Sequence, residues 1–290
     1  MISVIITAYH EEHSIGKAIQ AVLDQKVKNC EILVIAPDDA TLQAAKKYRQ
    51  VKVIQDPGKG KPAALNLAFS QVNRKSAFLI LTDGDVFLGK DAIKNLIQHF
   101  DPEVGAVSGH PISLSPRKTL LGYASHNFTD WWDWIRKKRE KTNQILICSG
   151  YLFALRAGII KKIPEDALSD DAVMSYEVYK KGWKIRYAPD AQVYVKYPTT
   201  FSDWLKQKRR SAGGYLQTRK YFKNMPTTRS FWKETQHATL WILWYPRNVR
   251  EIFYTMLLFA LRTALWGAIY LDKIRKKSFS QIWQPVESTK

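Results

Sequence analysis

Short apolar runs rich in β-branched residues alternate with helix-patterned stretches from Ile2 to Leu81, and few folds accept that order. Val4-Ile5-Ile6 is followed by helical spacing at Ile15, Ala18, Ile19, Val22 and Leu23. Glu31 to Ile35 reads as a second strand, and Thr41 is placed to cap a helix over 42–49. Val51 to Ile54 and Ala77 to Leu81 read as further strands, separated by a helix over 61–72. This alternation predicts an α/β domain with a mostly parallel central sheet. Ligands of such sheets sit at the carboxyl ends of the strands. Tyr9 and Glu11, Asp38 and Asp39, Asp56 to Lys61, and Asp83 to Asp85 fall at those ends.

Several of these positions carry chemistry of their own. Thr82-Asp83-Gly84-Asp85 puts two carboxylates around a turn-permitting glycine, a donor set that suits Mg²⁺ or Mn²⁺, or an ordinary turn. Gly58-Lys59-Gly60-Lys61-Pro62 opens a helix; it reads as an anion cradle or a solvated basic loop, and lacks the Walker A spacing. Ser169-Asp170-Asp171 precedes a helix expected from Ala172 to Lys181. Ser169 or Asp170 serves there as an N-cap, or an aspartate serves as a general base. Gln207-Lys208-Arg209-Arg210 beside Gly213-Gly214 reads as a basic surface turn or as a clamp on a pyrophosphate.

Taken in order, the segments between residues 3 and 214 resemble family 2 of the inverting glycosyltransferases, which have the GT-A fold. Val4 to Glu11 resembles the family's first strand ending in P-A-Y-N-E, and Glu31 to Asp39 its second strand with the nucleotide-binding acid. Gly60-Lys61-Pro62-Ala63-Ala64-Leu65-Asn66 is similar to G-K-x-x-A-L-N, and Asp83-Gly84-Asp85 to D-x-D. Ile147-Cys148-Ser149-Gly150 with Arg156 resembles the C-S-G…R segment of hyaluronan- and chitin-type synthases. Ser169-Asp170-Asp171 stands where the family has E-D, and Gln207 to Ser211 resembles Q-x-x-R-W. The likeness covers about three quarters of the chain and stops short of its C-terminal tail.

The resemblance implies roles. Tyr9, Glu11, Asp38 (or Asp39), Lys61 and Asp83 would bind the nucleotide-sugar donor, for which UDP is the default base. Asp85, with Asp83, would hold Mg²⁺ or Mn²⁺ on the diphosphate. Asp171 would deprotonate the acceptor hydroxyl, while Gln207 and Arg210 support the leaving nucleoside diphosphate. Ser149, Gly150, Asp170 and Trp204 are expected on the acceptor side. The family's acceptor-packing tryptophan is replaced by Ser211, which argues against a processive polysaccharide synthase. Transfer to a lipid-linked or glycan acceptor at a membrane is the expectation. Residues 123–140, with Trp131, Trp132 and Trp134, do not match the family core and read as an acceptor-side or membrane-touching insertion, or as core packing.

Charge bears on the partner. Lys and Arg number 45 against 26 Asp and Glu, a net charge of +19. The stretch from Lys196 to Lys290 carries +13 of it, together with Trp204, Trp232, Trp241, Trp244, Trp266 and Trp283. Tryptophans among basic residues suit an anionic membrane surface, or single strands of nucleic acid. Ile252 to Leu271 holds one charge, Arg262, over a length that matches a bilayer. Leu240 to Tyr245 before it is apolar, and Lys273, Arg275, Lys276 and Lys277 follow. A single crossing would put that basic cluster outside, against the positive-inside tendency. Thr255, Arg262 and Thr263 fall on one stripe, which suits a monotopic helix or a re-entrant hairpin over a single span. Met1 runs into Ile2 to Thr7 with no leader pattern, so the catalytic part is expected at the cytoplasmic face of a membrane.

The expected organisation is a catalytic domain over 1–200, a basic and aromatic segment over 201–236, and a membrane-associated helical region over 237–290. Two cysteines exclude a disulfide scaffold, and the scattered histidines exclude a zincin site. A non-catalytic basic binding protein on the same fold, or a sugar-nucleotide pyrophosphorylase, are the other readings; no specific nucleic acid is expected.

Overall fold

The computed structural model describes residues 1–226, 228, 229, 232, 241, 244–275, 278–282, 284 and 286–289. Leu240, Ile242, Leu243, Lys276, Lys277 and Trp283 therefore lie outside the described residues. The order begins β1 (Ile2–Thr7), α1 (Ile15–Leu23), β2 (Cys30–Ala36), α2 (Asp39–Lys46), β3 (Val51–Gln55), α3 (Lys61–Gln71) and β4 (Phe78–Asp83). It continues β5 (Val86–Leu88), α4 (Ala92–Gln98), β6 (Val104–Ser113), α5 (Leu120–Lys141) and β7 (Leu152–Arg156). Then come α6 (Asp170–Lys180), β8 (Lys184–Val195), α7 (Phe201–Tyr221) and α8 (Val249–Ile274).

The strands form one mixed sheet in the order β3-β2-β1-β4-β7-β6-β8-β5. Its first four strands are parallel throughout. β6 and β8 are also parallel, while β7 runs against both β4 and β6 and β5 runs against β8. Both faces are covered, and the period of two decides which side chain goes where. Ile5, Leu33, Ile35, Leu79 and Leu81 pack on one face; Val4, Ile6, Val34 and Ile80 pack on the other. Ile5 and Ile6 are both fully buried, each contributing about 1.5–3 kcal/mol of apolar burial. The chain order 3-2-1-4 puts a topological switch between β1 and β4, where Thr7 pairs with Asp83. A crevice outside the strand ends is expected at that point.

Three local readings change. α2 starts at Asp39, three residues before the expected helix, because Asp38 and not Thr41 is its cap. The Asp38 carboxylate accepts the Thr41 N–H at 2.9 Å, while the Thr41 hydroxyl accepts the Glu11 N–H at 2.8 Å. Gln207 to Arg210 is not a turn; α7 runs through it and through Gly213-Gly214. Nor do Thr255, Arg262 and Thr263 form one polar face: Thr255 is buried on the catalytic domain, whereas Thr263 is exposed and bonds the Phe259 carbonyl. The seating of α8 explains this. Glu251, Thr255, Leu265, Trp266, Ile269 and Asp272 turn inward, and an offset of eight residues rotates Thr263 about 80° from Thr255.

Candidate active site

A cavity of about 320 Å³ opens at the switch point. β1 and β4 bring their carboxyl ends to its floor, and the N-termini of α3 and α6 point at it. Tyr9, Glu11, Lys61, Asp83, Asp85, Ser149, Gly150, Asp170, Asp171, Gln207 and Arg210 all line it. These residues come from positions 9 to 210, so the sheet gathers what the sequence spreads out.

On one side stands a network around Asp83. The Lys61 ammonium lies 2.5 Å from Asp83 Oδ1, which also accepts the Thr7 hydroxyl at 3.0 Å. Lys61 is positioned by Gly60, which precedes α3 at φ 94°, a conformation that glycine adopts without a Cβ clash. The same ammonium stands 3.8 Å from Asp170 Oδ2. Burial lowers the Lys61 pKa, but the charges of Asp170 and Asp83 more than offset this and hold it protonated. Asp85, two residues along, is pushed up to about 7, first by burial and then by the Asp83 charge.

Does this donor set fit a divalent cation? Two half-buried carboxylates, of which burial and then the charge of Asp83 raise the Asp85 pKa, would be relieved by a hard cation. Among the described residues no group of three or more His, Cys, Asp or Glu could hold a metal. A cation at Asp83 and Asp85 would complete its shell with water and substrate phosphate oxygens, as Mg²⁺ and Mn²⁺ commonly do. The residues fit that arrangement.

On the other side Asp171 is held by three donors. Oδ1 accepts the Ser169 hydroxyl at 2.5 Å and the Ala172 N–H at 2.8 Å. Oδ2 accepts the Gly150 N–H at 3.1 Å. Burial, then the neighbouring Asp170 charge, raises the Asp171 pKa above the ordinary carboxylate range. Ser169 stands at the N-cap position of α6, yet its hydroxyl serves Asp171 and caps no backbone N–H. The Ser149 N–H is in turn fixed by Ser108 Oγ at 3.0 Å. From α7, Gln207 reaches the Tyr151 hydroxyl at 3.5 Å, and the Arg210 charge is felt by Asp85 and Tyr151.

Two expected site residues stand elsewhere. Asp38 is absent from the cavity wall; its carboxylate is taken by the N–H groups of Thr41 and of His10, the latter at 2.8 Å. Asp56, at the end of β3, lines the cavity instead and accepts the Gly58 N–H at 2.8 Å. Trp204 is buried, stacks on Phe201 at 5.5 Å and does not line the cavity. Lys208 of the basic run lines it too, and so do residues not singled out from the sequence as site residues: Tyr151, Tyr197, Tyr215 and, from α5, Phe128 and Arg136. Trp132 of α5 also lines the cavity, Trp131 is buried beside Trp241, and Trp134 is exposed. The tryptophan and arginine clustering of α5 was the signal; its fold position was not legible.

The fold and the cavity together define a GT-A-type α/β protein with its site at the β1/β4 switch. The chain belongs to glycosyltransferase-like family 2, whose model matches residues 1–214. It is 27% identical over 288 residues to the probable glycosyltransferase YdaM of Bacillus subtilis (strain 168), covering 93% of this chain and 66% of the relative. It is 24% identical over 242 residues to the poly-beta-1,6-N-acetyl-D-glucosamine synthase of Staphylococcus aureus (strain COL), covering 79% of this chain and 58% of the relative. The chain thus spans less than two thirds of the length of these curated relatives. Among solved structures, S. aureus TarS 1-349 in complex with UDP-GlcNAc matches with a TM-score of 0.52 at 16% identity, over 95% of this chain and 92% of that one. GalNAc-T7 with UDP, GalNAc and Mn²⁺ matches with a TM-score of 0.51 at 12% identity, over 82% and 55%. Both likenesses concern the fold.

Proposed function

We propose that this protein transfers a sugar from a UDP-linked donor to an acceptor hydroxyl with inversion at the anomeric carbon, at a membrane surface. The observation that carries the reading is what one cavity brings together. Lys61 pairs with Asp83 and also approaches Asp170, and next to Asp170 the candidate base Asp171 is held by three donors. Membership of the family supports it, as do relatives named for sugar transfer.

The acceptor hydroxyl meets Asp171, which takes its proton as the oxygen attacks the anomeric carbon. The new C–O bond forms as the bond to the diphosphate oxygen breaks, and that electron pair leaves with the nucleoside diphosphate. Lys61 and Arg210 offset the charge that develops there. Held by Asp83 and Asp85, Mg²⁺ or Mn²⁺ would add Lewis-acid neutralisation of the same diphosphate. One displacement and one base give inversion, with no enzyme nucleophile.

The membrane part of the reading rests on α8, which is long and apolar enough to cross a bilayer, with mean hydropathy 1.6 over an 18-residue window. Its two ends are tied to earlier parts of the chain, one before β7 and one on α7. Arg117 forks onto Glu251 at 2.9 and 3.0 Å, and Arg209 of α7 binds Asp272 at 3.0 Å. These anchors are 21 residues apart, roughly 31 Å of helix. A helix fastened at both ends to them runs along them. Its outer face, with Ile252, Phe253, Met256, Phe259, Leu271 and Ile274, is exposed. That face suits burial in the boundary of an anionic membrane, which the basic C-terminal third would attract.

The direct test is nucleotide release from a panel of UDP- and GDP-sugars with Mn²⁺ or Mg²⁺ and lipid extract present. Release from one donor, lost on Asp171→Asn, is the expected result. No release and no donor binding by calorimetry would overturn the reading.

A further inference from the structure

Arg136 of α5 is a buried cation in the cavity wall, 7% exposed. Its Nε donates to the Ile147 carbonyl at 3.3 Å, but Nη1 is enclosed and has no hydrogen-bond partner among the described residues. Native proteins pair such groups, because an enclosed guanidinium N–H has given up water for nothing. No carboxylate is ion-paired with it among the described residues. Asp133, one turn before it, is engaged by the Tyr187 hydroxyl at 2.7 Å and by Lys137 at 2.8 Å.

The surroundings deepen the anomaly. Trp132 carries Arg136 at 5.6 Å, Arg229 at 5.7 Å and Arg139 at 6.0 Å from its ring centroid. Three guanidinium groups round one indole repel each other. Trp132 and Tyr215 lie nearly parallel, 23° apart, and both line the cavity. Arg229 stands 5.2 Å from the Tyr215 ring and donates to Ser211 Oγ at 3.0 Å. Tyr215 feels the charge of Asp171 as well as those of Arg229 and Arg136. This cationic and aromatic wall is therefore on the side of the base. Asp85 feels Lys61 and Arg210 instead, and Lys61, which pairs with Asp83, stands beside Asp170 as well.

We propose that the acceptor is anionic: the sugar that offers its hydroxyl to Asp171 carries a phosphate or carboxylate, bound by Arg136 beside Arg229, with its ring against Trp132. The inference rests on the transferase reading above and names the class of its second substrate. The anion neutralises the unpaired Arg136 guanidinium and offsets the like charges around Trp132. The aromatic faces take the apolar face of the sugar, at a site where Ser211 leaves room in α7.

The test uses the full chain saturated with UDP and Mg²⁺, which fills the diphosphate site. It is titrated with glucose 6-phosphate, with glucuronate and with glucose. We expect one or both anionic sugars to bind at least tenfold more tightly than glucose. Arg136→Gln should remove that preference while UDP affinity stays within twofold, and Arg136→Lys should restore part of it. Equal binding of the three sugars overturns the proposal on the wild-type protein alone, so it stays testable if Arg136→Gln does not fold. A preference unaffected by Arg136→Gln also overturns it. A second arm compares UDP-glucuronate with UDP-glucose. Equal affinities are expected; a tenfold, Arg136-dependent preference for UDP-glucuronate would assign the anion to the donor and overturn the acceptor assignment. Failure to bind UDP at all is a separate result, which removes the transferase reading and this inference with it.

Discussion

Gly214 of α7 and Ser169 at the start of α6 touch so closely that a methyl group on Gly214 would lie 2.9 Å from the Ser169 backbone nitrogen and 3.1 Å from the Leu168 carbonyl carbon. Ser169 in turn binds Asp171. The helix carrying Gln207 and Arg210 is thus packed backbone to backbone against the turn that positions the base.

Gly214→Ala should push that turn aside and lower kcat by about 10- to 100-fold, since small misplacements at a reacting site have such effects. Gly213→Ala is its control. Nothing lies within 4 Å of a methyl group there, and alanine should raise stability by roughly 0.5–1 kcal/mol. Steady-state kinetics and thermal melts of both variants check the pair.

Asp171→Asn should lower turnover by about 10²- to 10⁴-fold, the usual contribution of a positioned base, with UDP affinity unchanged. The folded-state pKa of Asp171 lies above its unfolded value because of burial and the Asp170 charge. The folded chain therefore binds this proton more tightly than the unfolded chain, and ionised Asp171 weakens the fold as pH rises through the folded pKa. The Asn amide keeps one acceptor oxygen and turns its NH2 on a present donor, the Gly150 N–H or the Ser169 and Ala172 pair, so melting at pH 7 is measured beside the kinetics to separate lost catalysis from lost folding. Because the Asp171 pKa is raised, kcat/KM should fall on the acid side at a pH above the ordinary carboxylate range.

Phe253→Ser with Phe259→Ser should weaken binding to vesicles containing anionic lipid. Each phenylalanine buried in the membrane boundary would be worth about 1.5–3 kcal/mol, so a loss of tenfold or more is expected by vesicle sedimentation. Both side chains are exposed, so melting temperature should hardly move. Unchanged vesicle binding would count against a membrane face on α8.

Asp85→Ala should abolish the Mn²⁺ dependence of UDP binding and leave a weaker, metal-independent affinity from Lys61 and Arg210. Calorimetry with and without Mn²⁺ measures this; retention of the full Mn²⁺ effect would remove Asp85 from the metal site.

Much of this protein could be read along the chain. β1 to β4 are the short apolar runs, and their period of two survives as the two packed faces of the sheet. Residues directly after those strands reach the cavity, as parallel topology requires: Glu11 after β1, Lys61 at the start of α3, Asp85 after β4. An aspartate before a helix is equally a cap, and only the fold shows that the Asp38 carboxylate accepts the N–H groups of Thr41 and His10.

Other features depended on contacts between distant segments. Trp132 and Arg136 are helical residues in a stretch that carries none of the quoted motifs, and their place in the cavity follows from how α5 packs across β6 and β8. α8 carries an apolar run that fits a bilayer by length. Arg117 and Arg209, 134 and 63 residues away from their partners, hold it along these earlier parts of the chain. Local pattern sets period, propensity and strand-end chemistry, because these depend on neighbours in the chain. Which carboxylate caps and which faces substrate, and which side of a helix stays uncovered, depends on charges and surfaces that only folding brings within reach.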